Sequence, residues 1–284
     1  MNFWLIQAFN GISYGALLFL LGSGLSLIFG VMRIVNLSHG SYFLLGGYVA
    51  LSVIWTTGSW VLALPVAAVA IAVLGLCMER VFLRPLGFDP LRQVLLTVGF
   101  AFLFQQAALD IWSGNNFDIN PPDVLTRSVV IGGLYLPLYR IFMIAMALTI
   151  GLVLWLVMEK TRMGAAVRAT VDDAQMARGI GIDTSRISML VFALGAFLAA
   201  LGGVIGGAFL GVYPGLDFEI LPLAFAVVII GGMGSLGGAA IGALLVGLAD
   251  NFGKALFPEI SYFTLYAPMA VILAVKPTGL FGRE

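Results

Sequence analysis

Long apolar runs, broken by short polar or glycine-rich stretches, dominate the chain. No Asp, Glu, Lys or Arg occurs in residues 1–32, 34–78, 187–216 or 220–249. About 20 apolar helical residues cross the hydrocarbon layer of a bilayer, so runs of this length are long enough to span one. Inside lipid every backbone amide needs an internal partner, which leaves only helices and closed barrels. The runs lack the alternating apolar and polar positions of barrel strands, so helices are predicted. Reading apolar runs against polar breaks places them at 3–30, 41–55, 60–78, 93–112, 138–158, 187–210, 220–233, 236–251 and 261–275. The segments 41–55 and 220–233 are short for a full crossing. The expected fold is therefore an all-α polytopic membrane protein of eight or nine spans, with broken or re-entrant pieces.

The breaks carry the polar chemistry. Trp55 and Trp60 flank a small polar turn, the pattern of a tight loop at a membrane interface. If the N-terminus lies outside, Arg33, Arg80, Arg84, Arg92, Lys160, Arg162, Arg168, Arg178, Arg186, Lys276 and Arg283 all fall inside. Only Arg127, Arg140 and Lys254 then remain outside, so the positive-inside rule puts the C-terminus in the cytoplasm of a bacterial inner membrane. The same topology places residues 113–137 outside. There 129–136 reads either as a β-hairpin turning at Gly132-Gly133 or as plain loop. Composition agrees with a lipid-solvated chain, since 61% of the 284 residues are hydrophobic, 10% are charged and the mean hydropathy is +1.07. The first apolar run is too long for a secretory leader and has no basic flank, so it is expected to be retained. A formal net charge of zero suggests no nucleic-acid partner, and the lone Cys77 excludes a disulfide within the chain.

Three stretches are candidates for function. Residues 159–186 form the longest and most charged inside loop. Its 163–176 portion is predicted to be one short amphipathic helix with Val167, Val171 and Ala174 on a stripe, ended by Gly179 and Gly181. Such a helix offers a docking surface to a partner, or simply joins two spans. The cluster Asn36-Leu37-Ser38-His39-Gly40 sits between two apolar runs, where Asn36 or Ser38 is expected to cap a helix starting near Ser41. Transporters use broken helices of this kind to line substrate paths, and the alternative for His39 is a hydrogen-bonded packing residue. Gly231-Gly232-Met233-Gly234-Ser235 makes a similar break before a small-residue helix, which is compatible with a degenerate repeat. The four-residue spacings Gly203, Gly207, Gly211 and Gly238, Gly242 suit close helix packing. Asp110, Asp217, Glu219 and Asp250 all fall at predicted helix ends, so no central carboxylate for proton coupling is expected. The chain carries no GxxxxGK[ST] loop, and ATP binding of that kind would have to come from a partner.

Five motifs in order give the chain a family resemblance. Val35-Asn36-Leu37-Ser38-His39-Gly40, Glu79-Arg80 with Arg84-Pro85-Leu86, the stretch from Thr161-Arg162-Met163-Gly164 through Arg168-Ala169 and Asp172-Asp173-Ala174 to Gly179-Ile180-Gly181, Gly231 to Ser235, and Lys276-Pro277-Thr278-Gly279 with Phe281-Gly282-Arg283 resemble those of branched-chain amino acid ABC transporter permeases. The likeness covers almost the whole chain and is nearest to the H-type subunits of high-affinity leucine/isoleucine/valine importers. It implies a type II-like importer permease with no catalytic chemistry or cofactor of its own. A periplasmic solute-binding protein would deliver the solute, a second permease subunit of the M type would share the pathway, and two ATPase subunits would dock inside. It also implies a coupling role for Arg162, Met163, Gly164, Arg168, Asp172, Asp173, Ala174, Gly179 and Gly181. Asn36, Ser38, His39, Gly40, Gly234 and Ser235 would stand by the translocation path. Leu37 and Ser38 replace the family's commoner Phe and Ala. Related permeases handle urea, short-chain amides and aromatic acids, so the substrate stays open, as do a passive channel and a sodium-coupled carrier.

Overall fold

The computed structural model describes residues 2–87, 89–276 and 278–282; Pro277 and Arg283 of the tail motif, Arg283 also counted in the charge census, lie outside the described residues. Apolar helices form at all nine predicted places: α1 Asn2–Met32, α2 His39–Thr57, α3 Trp60–Met78, α4 Pro90–Trp112 and α5 Leu138–Lys160 precede a charged segment. That segment holds α6 Arg162–Asp172 and α7 Ala174–Gly179, and α8 Thr184–Leu210, α9 Leu216–Gly231, α10 Leu236–Leu256 and α11 Ser261–Val275 follow. Among the described residues six segments are long and apolar enough to cross a membrane, those built on α1, α3, α4, α5, α8 and α10. The predicted short pieces correspond to α2 and α9, which fall outside that group.

Local chemistry sets the boundaries. Gly58 takes a left-handed φ of 69° and returns its N–H to the Ile54 carbonyl to close α2. Ser59 then caps α3 by accepting from the Leu62 amide. Asp89, Asp183 and Ser235 cap α4, α8 and α10 in the same way, through the amides of Arg92, Arg186 and Gly238. Past Met78, α3 continues as a π turn over Glu79–Leu83 and a 3₁₀ turn over Arg84–Leu86. The hairpin is formed: β1 Ser128–Ile131 pairs antiparallel with β2 Leu134–Pro137. Gly132 and Gly133 supply the two successive positive φ angles, 58° and 81°, that a two-residue hairpin turn requires.

The bundle is organised on α1, which packs against α5, α8, α9 and α10, while α2 lies among α3, α4, α8 and α9. Lipid tails are as apolar as the side chains, so packing depends on close approach rather than on hydrophobic drive. A side chain at Gly203 of α8 would collide with the Phe43 carbonyl of α2, and one at Gly24 of α1 would meet the Gly195 backbone of α8. Gly211, expected to pack, is instead the residue that ends α8, with φ 80°. The outward sides of α3 and α5 are largely apolar, with Val61, Leu62, Val66, Val69, Val73 and Val153 exposed, while Leu148, Leu152 and Trp155 of α5 line an apolar cleft of about 400 Å³ with α1 and α10.

The two ends of the bundle differ in chemistry. At the hairpin end lie β1–β2 and the α2–α3 turn, and the backbones of Phe117 and Val212 pair there. At the other, basic end, Arg84 donates to the Ser185 carbonyl, Gly30 of α1 abuts Gly234, and the tail returns to α9 through Leu280 N–H to the Ile230 carbonyl. The predicted single helix at 163–176 is a correction. Asp173, with φ −152° and ψ 103°, divides it into α6 and α7, because its carboxylate accepts from the Gln175 and Met176 amides and starts a second helix.

Candidate functional site

The polar cluster after α1 places a helix start in the interior of the bundle. Residues 33–38 lead from α1 without helical structure, opening on Arg33 with φ 54°. The expectation that a side chain here caps a helix near Ser41 is corrected. The helix starts at His39, and its capping position, Ser38, makes no capping hydrogen bond. Asn36 Oδ1 instead accepts from both the Ser38 amide, at 3.1 Å, and the Ser38 hydroxyl, at 2.7 Å, which folds the link locally. Thr97 of α4 accepts from the Leu37 amide, and the Tyr42 hydroxyl donates to Met78 Sδ, which joins α2, α3 and α4 at this level. Asn36, Ser38, His39 and Gly40 are all buried. His39 Nε2 lies 3.0 Å from the Leu21 carbonyl, an acceptor only, so Nε2 carries the proton. Among the described residues His39 Nδ1 and Asn36 Nδ2 have no hydrogen-bond partner.

A second helix starts against the first. Gly215, with φ 99°, reverses the chain into α9, and Asp217 in its first turn accepts from the Ser41 hydroxyl at 2.9 Å. Gly40 touches the Asp217 backbone so closely that a Cβ there would collide with the Asp217 carbonyl. Asp217 is 2% exposed, and its Oδ1 has no partner among the described residues. The expectation of no carboxylate at depth is thereby corrected. At 1.5 Å per residue, Ser41 lies about 24 Å along α2 from Thr57, and Asp217 about 21 Å along α9 from Gly231. The sequence places Asp217 at a helix end, but that end is in the middle of the bundle. Glu219, one half-turn further and exposed, accepts from the Tyr213 hydroxyl at 2.8 Å.

Gly234 and Ser235 occupy the opposite end of α9, and the structure does not bring them to Asn36–Gly40. Gly234 abuts Gly30, and the Ser235 carbonyl accepts from Ser26, both on α1. They form the basic-end anchor of α9 and α10 rather than a second half of the polar junction.

The α6–α7 unit is held to the bundle by backbone contacts. Thr161 caps α6 through the Gly164 amide, and Gly164 has no room for a side chain beside the Met158 carbonyl. Arg168 donates to the Met158 carbonyl and approaches Glu159 at 3.8 Å. Arg178 Nε donates to the Thr184 hydroxyl, tying α7 to the start of α8. The last residue of α7 is Gly179, and Gly181 follows with φ 92°. Asp172, Asp173, Ala174 and Arg178 line a cleft of about 430 Å³ with Met32 and Arg33 from the end of α1. Arg162, Met163 and Met176 are exposed. One continuous stretch, Arg33 to Gly40, thus runs from this cleft to the buried junction.

Apolar helices around a buried polar junction, with a helical unit on the basic end, make a multi-pass membrane protein. The chain belongs to the branched-chain amino acid transport system permease family: the family model described as "Branched-chain amino acid transport system / permease component" matches residues 7–273. It is 31% identical over 299 residues to the high-affinity branched-chain amino acid transport system permease protein LivH of Escherichia coli, covering 99% of this chain and 96% of that one. The corresponding protein BraD of Pseudomonas aeruginosa is 28% identical, with 99% and 96% covered. The Escherichia coli permease protein LivM is 27% identical over 289 residues, with 92% of this chain and 67% of LivM covered. No solved structure matches the chain.

Proposed function

We propose that this permease is one membrane subunit of an ATP-driven importer for leucine, isoleucine or valine in a bacterial inner membrane, with its N-terminus outside. The observation that carries the reading is end-to-end similarity to relatives named as high-affinity branched-chain amino acid permeases. Similarity to LivM as well as LivH supports a pair of related but different permeases. In this reading a periplasmic binding protein delivers the solute at the hairpin end, and two ATPase subunits seat on Arg162–Gly181 at the basic end. Closure of the ATPase pair moves α6 and α7, and the 33–40 link carries the movement to the α2–α9 junction beside the solute route. This chain contributes helices and no bond-making step.

Reconstitution with a second permease, the ATPase and the binding protein tests the reading. Leucine uptake into proteoliposomes is expected to need both ATP and binding protein, with isoleucine and valine competing and urea, short amides and aromatic acids failing to compete. Asp173→Lys is expected to leave membrane insertion intact and abolish ATP-coupled uptake. Uptake without ATP, or driven by a sodium gradient alone, would refute the pump; competition by urea or an aromatic acid would refute the substrate.

A further inference from the structure

Glu219 is exposed on the chain at a depth where lipid would not tolerate it. It lies about 18 Å along α9 from Gly231, and its neighbour Asp217 is fixed to Ser41 about 24 Å below the end of α2. Both distances fall well inside a hydrocarbon layer of about 30 Å. An ionisable side chain at such depth faces water or protein, because lipid leaves its charge unsolvated. The surface beside it mixes polar and aromatic side chains. On α4, Phe102, Gln106 and Asp110 recur every fourth residue on one exposed stripe, with Gln106 Nε2 donating to Asp110 Oδ1 at 3.0 Å. The Phe102 and Phe218 rings meet at 5.5 Å between centroids, so the α4 and α9 stripes form a single surface. The outward faces of α3 and α5 carry no ionisable side chain at this depth among the described residues; Thr149 of α5 is exposed there, with its hydroxyl donating to the Ala145 carbonyl.

We propose that the α4–α9 face is this chain's wall of the solute route, and that Glu219 binds the ammonium group of the solute there. Tyr213 orients the Glu219 carboxylate from one side, and the rings of Phe102 and Phe218 beside it accept an apolar side chain. Residues two apart on a helix point about 200° apart. Asp217 therefore faces inward and anchors the start of α9, while Glu219 faces the route. The ammonium assignment rests on the proposed amino acid substrate; the wall assignment does not.

The test uses the assembled transporter in vesicles, with Cys77→Ser as background and single cysteines at Gln106, Phe218, Val69 and Val153. A positively charged methanethiosulfonate is expected to label positions 106 and 218 at least about tenfold faster than positions 69 and 153 on the apolar outer sides, the contrast between water and hydrocarbon. Equal slow labelling at all four overturns the wall, whatever solute is carried. Glu219→Gln is expected to raise the KM for leucine about tenfold, the loss of one charge-assisted hydrogen bond, with Glu219→Asp recovering most of it. An unchanged KM overturns the ammonium assignment. Absence of amino acid transport by the unmodified complex overturns the substrate reading and this assignment with it, while the labelling contrast still decides the wall. Labelling on the Glu219 chain also decides the wall if the Gln variant does not assemble.

Discussion

Small residues set how closely this bundle packs, and their environments separate those that matter from those that do not. Gly203 faces the Phe43 carbonyl with no space for a methyl group, whereas Gly99 of α4 has nothing within 4 Å of a Cβ position. Gly203→Ala is expected to cost about 1–3 kcal/mol, as overpacking of a tight helix contact does. Gly99→Ala is expected to be neutral or to stabilise by up to about 1 kcal/mol, since alanine favours the helix. Thermal denaturation of the purified chain in detergent distinguishes the two, and a matched loss from both would contradict the packing. The Ser41 hydroxyl is the side-chain donor to buried Asp217, so Ser41→Ala is expected to lower stability by about 1–3 kcal/mol in the same assay. The polar residues of this junction were legible as types but not as contacts. Asn36 and Ser38 read as caps because their side chains suit a helix start, yet Asn36 bonds Ser38 and leaves the helix uncapped by either. Asp217 was hidden by arithmetic along the chain: it stands at a helix end, and only the packing of α9 on α2 shows that this end is deep.

At the level of elements, hydrophobic runs located α3 and α5 almost to the residue, because Ser59 and Pro137 mark their starts and the charged Glu79 and Glu159 mark where the apolar runs give way. The two elements that periodicity rendered poorly are those where local polar chemistry competes with helix continuation. Asp173 is the clearest case. The composition of 163–176 favours one helix, but the Asp173 carboxylate offers the Gln175 and Met176 amides a better partner than α6 does. Removing it with Asp173→Ala is expected to cost about 1 kcal/mol of capping and to lengthen α6 at the expense of the break. Hydrogen exchange should then show the amides of Gln175 and Met176 changing protection while those of α8 do not. Unaltered exchange at both would show that the break is imposed by packing against α1 and α8. The break matters because it lets α7 turn back to Thr184 and close the cleft with Arg33. A straight helix over the same residues would carry Arg178 away from the start of α8.

For the whole molecule the charges decide orientation, because helix packing alone is indifferent to which end faces the cytoplasm. Ten of the eleven basic residues assigned to the inside lie among the described residues, and they gather at the end that carries α6 and α7. The hairpin end keeps Arg127, Arg140 and Lys254; Arg140 donates to Asn10 and Lys254 pairs with Asp250 at 2.8 Å, so two of its three positive charges are locally satisfied. The excess positive charge therefore sits at the basic end, which the proposed topology places in the cytoplasm. Two exposed side chains report on the two ends, Tyr135 on the hairpin at 75% exposure and Met176 on α7 at 65%. In a Cys77→Ser background, a cysteine at 135 is expected to react with a membrane-impermeant maleimide in spheroplasts, and one at 176 only in inverted vesicles. Adding the ATPase subunits to those vesicles is expected to slow labelling at 176, since the same surface is proposed to receive them. Reaction of 176 from outside would invert the topology and remove the docking role of α6 and α7 at once. Reaction from inside that the ATPase leaves unchanged would keep the orientation and move the docking site elsewhere on the basic end.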